Sequence, residues 1–157
     1  MKAVLFVCTG NICRSPTAEG VFRKLLEANG LAGSVDVDSA GTGNWHVGES
    51  PDDRACESAL RRGIDIADQR ARQVRIEDFN RFDLILAMDQ GHYQELQRLC
   101  PDSQRHRLRL FLDFAPAFGI REVPDPYYGG PDGFEIVLDM IEAACVGLLA
   151  EIRADIP

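Results

Sequence analysis

The stretch that decides the fold is Ala3-Val4-Leu5-Phe6-Val7-Cys8-Thr9-Gly10-Asn11-Ile12-Cys13-Arg14-Ser15-Pro16. Residues 3–7 form a continuous run of β-branched, aliphatic and aromatic side chains, which marks a strand buried on both faces. Gly10 breaks the run and permits the backbone to turn. Ser15-Pro16 then opens a helix, since proline suits the first helical position. Val21, Leu25 and Ala28 continue as a helical stripe, widened by Phe22 and Leu26, and Asn29-Gly30 stops it.

Outward from this unit the pattern repeats. Residues 35–39 alternate and read as a second strand. Ser50-Pro51-Asp52-Asp53 caps a helix that runs to Gly63. Residues 83–88 form another buried strand, followed by a helix over residues 93–99. Residues 108–112 are expected as a fourth strand. A Pro/Gly-rich loop, residues 123–131, precedes a long final helix from about residue 133 to 152. Strands alternating with helices imply a parallel α/β sheet with helices on both faces. No repeat, low-complexity tract or linker interrupts the 157 residues, so one domain, residues 1–157, is expected. Open sheets of this kind bind ligands beyond the carboxyl ends of their strands. That puts Cys8 where chemistry is expected.

Composition narrows the function. The chain carries 25 Asp+Glu against 17 Lys+Arg, a net charge of −8. Nucleic-acid binding, which needs positive charge facing phosphates, is disfavoured. No apolar run reaches the roughly 20 residues of a membrane span, and the N-terminus lacks the longer apolar region of a signal peptide. A cytoplasmic location is expected. The five cysteines are odd in number and show no C-x-x-C pair, and the histidines lie far from any cysteine pair. Neither a disulfide framework nor a zinc site fits, so no metal is expected, and most thiols should be small buried hydrophobes.

Cys8 and Arg14 form a C-x5-R pattern, and so do Cys56 and Arg62. The second pair lies within a predicted helix, where six steps of about 100° turn the side chains apart, and no glycine separates them. It reads as structural. The first pair joins a buried strand to a helix N-terminus, whose free N–H groups and dipole attract an anion. Successive N–H groups around Gly10 can form an anion-binding nest, and Arg14 adds a planar fork matching two phosphate oxygens. The same positive surroundings favour a thiolate at Cys8, the reactive form. A nucleophile at the base of an oxyanion cradle points to phosphoryl transfer through a cysteinyl phosphate. The bland alternative is a structural cysteine at a strand end.

With Ser39-Ala40-Gly41-Thr42, Ala71-Arg72-Gln73 and Asp125-Pro126-Tyr127-Tyr128 added, the chain resembles the low-molecular-weight protein-tyrosine phosphatases over nearly its whole length. The resemblance implies a single three-layer domain with a four-stranded parallel sheet flanked by helices, and neither metal nor cofactor. It implies Cys8 as nucleophile, Arg14 as phosphate clamp and Asp125 as general acid and then base. Thr9, Gly10, Asn11, Ile12, Cys13 and Ser15 would complete the phosphate-binding loop. Asn11 would hold that loop in a left-handed conformation. Ser15 would stabilise the thiolate, although it also reads as an N-cap. Ser39 and Asp89 would support the loop, and an aspartate at position 89 equally suits a helix cap. Trp45, Tyr127 and Tyr128 would wall a slot for a phenol ring, or stand as surface aromatics. Cys13 would form a reversible protective disulfide with Cys8, or simply pack beneath the loop. Gln69 departs from the pattern, since many relatives carry histidine there. The arginine-rich stretch Arg70, Arg72 and Arg75 reads as a solvated face.

The resemblance implies phosphotyrosine-containing proteins as substrates, and a bacterial-type setting would suggest autophosphorylating tyrosine kinases. A monomer is expected. Three other functions compete. A thiol-dependent arsenate reductase would share the loop but needs two further relay cysteines, and Cys56, Cys100 and Cys145 are scattered. A non-catalytic phosphotyrosine- or anion-binding module would not need both Cys8 and Asp125. A redox protein using Cys8 and Cys13 lacks the C-x-x-C spacing.

Overall fold

Residues 2–126, 130 and 132–155 are described in the computed structural model of the chain. In order they form β1 (Lys2–Cys8), α1 (Arg14–Ala28), β2 (Val35–Gly41), α2 (Asp53–Arg61), α3 (Asp78–Arg81), β3 (Leu84–Ala87), α4 (Gln90–Leu99), β4 (Leu108–Leu110) and α5 (Asp132–Asp155). The strands form one parallel sheet in the order β2-β1-β3-β4. The chain winds to one edge through α1, crosses back over β1, and winds to the other edge through α4. Right-handed crossovers running in opposite directions place their helices on opposite faces. The reversal falls between β1 and β3, and Cys8 ends β1 at that point.

The apolar run in β1 serves both faces. Val4, Phe6 and Cys8 pack into a core with α1 and α5, while Ala3, Leu5 and Val7 pack into a second core with Phe79, Phe82 and Leu96. Phe6 is fully buried and meets Phe22 and Phe111 edge to face, with ring centroids 6.0 and 5.1 Å away. Truncating such a side chain to alanine costs about 3–5 kcal/mol. Anchored this way, β1 gives the loop that follows a rigid base.

Several local expectations are corrected. Helix α1 begins at Arg14, so Pro16 is its third residue; the missing N–H still falls in the first turn, where it has no helical partner. β4 stops at Leu110 because residues 111–114 tighten into a 3₁₀ turn. The short α3 has too few turns to produce a readable apolar stripe. Cys56 is only half-buried, resting on the edge of the larger core, whereas Cys100 and Cys145 are buried. Arg70 and Arg75 are exposed, but Arg72 is only partly so: it bonds Asp78 through both terminal nitrogens, at 3.0 and 3.1 Å, and Asp38 at 3.1 Å.

Candidate active site

Residues 9–13 cross from the end of β1 to the start of α1. Their direction is set by Asn11, whose φ is 59°, while Gly10 is not at positive φ. The turn therefore belongs to the asparagine. Gly10 is needed for space instead, because a Cβ there would approach the His46 ring to 2.8 Å. Neighbouring loops take up the carbonyls: Thr42 N–H donates to Cys8 O, Gly43 N–H to Thr9 O and Asp52 N–H to Ile12 O, at 2.9, 3.0 and 2.8 Å. Among the described residues, the N–H groups of Thr9, Gly10, Asn11, Ile12 and Cys13 donate to no protein acceptor. A loop with its carbonyls tied outward and its donors open is an anion nest.

Cys8 lies at the floor of this nest and is 3% exposed. Its Sγ is 2.9 Å from Ser15 Oγ. Asn11 is the hub: its amide donates to Ser15 Oγ at 2.8 Å and to Ser39 Oγ at 3.0 Å. Its carbonyl accepts the Arg72 backbone N–H at 2.9 Å, which fixes the amide's orientation. Ser39 passes its own hydrogen to Glu19 Oε1 at 2.7 Å. Burial pushes the Glu19 carboxyl above its ordinary range, against the bonds from Ser39 and Arg23. Ser15 makes no side-chain cap of α1, so its N-cap reading is corrected; its hydroxyl is turned to the sulfur.

Arg14 enters from the first turn of α1 with its side chain 4% exposed. Nη1 donates to Asp89 Oδ2 and to the Val123 carbonyl, each at 2.9 Å. Nη2 lies 3.7 Å from Asp125 Oδ2 and 3.5 Å from His92 Nε2. Asp89 also caps α4, its Oδ1 accepting from the His92 N–H at 2.9 Å, so the cap geometry stands beside the contact with Arg14. Burial raises the Asp89 carboxyl, but the His92 N–H and Arg14 outweigh it and hold it below its usual range. Burial, then Arg14, brings His92 down to about 4, so the ring is neutral near pH 7.

The pocket is lined by Cys8, Thr9, Gly10, Ile12, Cys13 and Arg14, with Trp45, His46 and Asp125 at its mouth. Trp45 is 65% exposed, yet its ring covers Gly43 so closely that any Cβ there would collide with it. Tyr127 and Tyr128 lie outside the described residues. Burial, together with Asp52, pushes the Cys13 thiol well above its ordinary range. Among the described residues no group of three His, Cys, Asp or Glu side chains could hold a metal ion. Cys56 and Arg62 share no site: Cys56 Sγ faces the Pro51 carbonyl, and Arg62 pairs with Glu135, Asp139 and Glu142.

Three contributors escaped the sequence reading. Glu19 left a signal, because it interrupts the buried helical stripe Ser15, Phe22 and Leu26 with a charge. His92 stands three residues after the cap Asp89, on the same helix face. The third, the Arg72 backbone N–H on Asn11, spans 61 residues and has no local trace.

A thiol within a nest of backbone donors, beside a guanidinium and at the switch point of a parallel sheet, defines a cysteine-based site for tetrahedral oxyanions. A family model described as low molecular weight phosphotyrosine protein phosphatase matches residues 3–157. A low molecular weight protein-tyrosine-phosphatase of Streptomyces coelicolor is 51% identical, covering 98% of this chain and 94% of that one. A pig (Sus scrofa) low molecular weight phosphotyrosine protein phosphatase is 39% identical over 97% and 96%. The crystal structure of a protein tyrosine phosphatase from Entamoeba histolytica superposes with a TM-score of 0.95 at 40% identity, covering 99% of both chains. The chain belongs to the low molecular weight phosphotyrosine protein phosphatases, a family of hydrolases.

Proposed function

We propose that the protein hydrolyses phosphotyrosine and small aryl phosphates through a cysteinyl-phosphate intermediate. Cys8 Sγ attacks phosphorus, the bond to the phenolic oxygen breaks, and Asp125 gives that oxygen a proton. Asp125 then takes a proton from water as the water attacks phosphorus. The S–P bond breaks, and sulfur leaves as a thiolate that accepts the Ser15 hydroxyl. Arg14 and the loop N–H groups hold the equatorial oxygens throughout, since this chemistry depends mostly on positioning and charge. The observation that carries the reading is the Cys8 sulfur, 2.9 Å from Ser15 Oγ, beneath open backbone donors and beside Arg14.

Asn11, Ser39 and Asp89 serve as loop and clamp supports, and their hydrogen bonds favour that role. Trp45 lines one side of the slot; Tyr127 and Tyr128 are proposed for the other from their positions in the sequence alone. Cys13 borders the same pocket as Cys8, which suits a protective disulfide, although its raised thiol would make capture of an oxidised Cys8 slow. Cys100 and Cys145 lie in the cores of opposite faces and Cys56 at an edge, which weighs against an arsenate-reducing thiol relay. One sheet with a shared core on each face supports a single domain over residues 1–157. A cytoplasmic monomer acting on an autophosphorylating tyrosine kinase is the proposed setting. No helix among the described residues is long and apolar enough to cross a membrane.

The test is turnover of para-nitrophenyl phosphate near pH 5–6 with chelator present, beside Cys8→Ser and Asp125→Ala. Both variants should lose activity. Turnover that survives Cys8→Ser, or that requires added metal, overturns the reading.

A further inference from the structure

We propose that His92 is a positioning residue of the phosphate site: its Nε2 is the shared acceptor that sets Thr9 of the loop and the Arg14 guanidinium against one another. This rests on Arg14 being the phosphate clamp. The Thr9 hydroxyl oxygen lies 2.7 Å from His92 Nε2, and Arg14 Nη2 lies 3.5 Å from the same atom. A guanidinium can only donate, so Nε2 accepts and the ring proton sits on Nδ1. Nδ1 faces Asp89 Oδ1 at 3.1 Å without the alignment of a hydrogen bond, and no other partner among the described residues takes it. The ring is 5% exposed, so these contacts are made in a largely buried setting.

The consequence is a division of labour along one turn of α4. Asp89, at its N-cap, holds Nη1 of Arg14, and His92, three residues on, meets Nη2. The same imidazole ties Thr9, across 83 residues of sequence, to the helix that aims the clamp. Loop and clamp are thereby referenced to one rigid side chain. Asp89 supplies charge to Arg14. His92 supplies a neutral acceptor, which fixes the angle of the guanidinium without neutralising it further. A displacement near 1 Å in such a clamp lowers rates by about 10²-fold.

The experiment compares the full-length chain with His92→Leu, His92→Gln, Thr9→Val and the His92→Leu/Thr9→Val pair. It reads kcat and KM for para-nitrophenyl phosphate and inhibition by inorganic phosphate. His92→Leu should lower kcat about 10- to 100-fold while KM shifts far less, because misalignment matters most in the transition state. His92→Gln, whose amide oxygen can take the place of Nε2, should recover most of the loss. The paired variant should be little worse than His92→Leu alone, since both changes break one contact. Wild-type kcat in folded His92→Leu, or a Gln variant as slow as Leu, overturns the proposal. Nitrogen NMR of the wild-type imidazole provides a reading independent of any variant's folding. An unprotonated Nε2 whose resonance moves when inorganic phosphate is added supports the assignment, and a protonated Nε2 refutes it. Failure of the wild-type chain to turn over the ester would instead sink the phosphatase reading and leave the tautomer result standing.

Discussion

Cys8 with Arg14 and Cys56 with Arg62 are the same letters at the same spacing, and they end in opposite surroundings. The first pair spans a strand end and a helix start, so five intervening residues curl into a nest that brings sulfur and guanidinium to one pocket. The second pair lies on and just beyond α2, where the helix carries the side chains apart, and each finds a local structural partner. Their electrostatics differ as well. Burial and the carboxylates of Asp53, Asp52 and Asp65 push the Cys56 thiol up. Cys8 instead faces backbone donors, Ser15 and Arg14. Spacing selects candidates; the elements that bracket the spacing decide which one is a site.

The comparison can be broken at its strongest point first. Cys8→Ser should lower para-nitrophenyl phosphate turnover by about 10⁴-fold or more, as loss of a nucleophile does. Cys56→Ser should leave it unchanged, and a matching loss there would erase the distinction. Arg14→Lys should reduce kcat by about 10²- to 10³-fold, because an ammonium replaces a fork aimed at two oxygens. Arg62→Lys should have no such effect.

A third difference is in pH. The group facing His92 from the loop is Thr9, and the charged groups around it are Arg14, Asp89 and Asp125. Its pKa falls from 6.5 to about 4 on folding. Between those values the unfolded chain binds the extra proton, so folded stability is lost as pH drops from 6.5 toward 4. The loss should total about 3 kcal/mol. Denaturation of wild type and His92→Gln at pH 7 and pH 4 isolates this contribution as the difference in pH dependence; equal slopes would contradict it. Smallest is Arg62→Ala, expected to lower unfolding free energy by about 1 kcal/mol or less, with the difference shrinking in high salt. A larger, salt-insensitive loss would mean that the ion network around α5 is worth more than its exposure implies.

The succession of strands and helices and the loop between β1 and α1 were legible because local chemistry writes them, whereas the spatial order of the strands was not. A buried apolar run, a break and a helical stripe produce β1, the loop and α1, and the anion nest follows from where these meet. Asn11 was readable as left-handed because few other side chains tolerate it. Its partners were not readable. Arg72 looked like part of a charged surface, since nothing near it in sequence reveals Asp38 on β2 or the amide oxygen of Asn11. Ser15 read equally as a cap, and only the geometry of α1 separates that from a bond to sulfur. His92 went unnoticed because its ties to Thr9 and Arg14 are made in three dimensions, across sequence separations no periodicity records.

The hydrogen-bond chain from Glu19 through Ser39 and Asn11 to Ser15 ends at the Cys8 sulfur, yet it is an insulator. Both hydrogens of the Asn11 amide are committed outward, one to each serine, and its oxygen is taken by Arg72. An amide cannot accept a proton on one side and release it on the other as a hydroxyl or water can. Glu19, with its raised proton affinity, is thus wired to the loop without being able to acidify it. This chain therefore carries no proton to the sulfur, and the rear of the pocket acts as a fixed dielectric wall, leaving the side lined by Asp125 for the proton transfers proposed above.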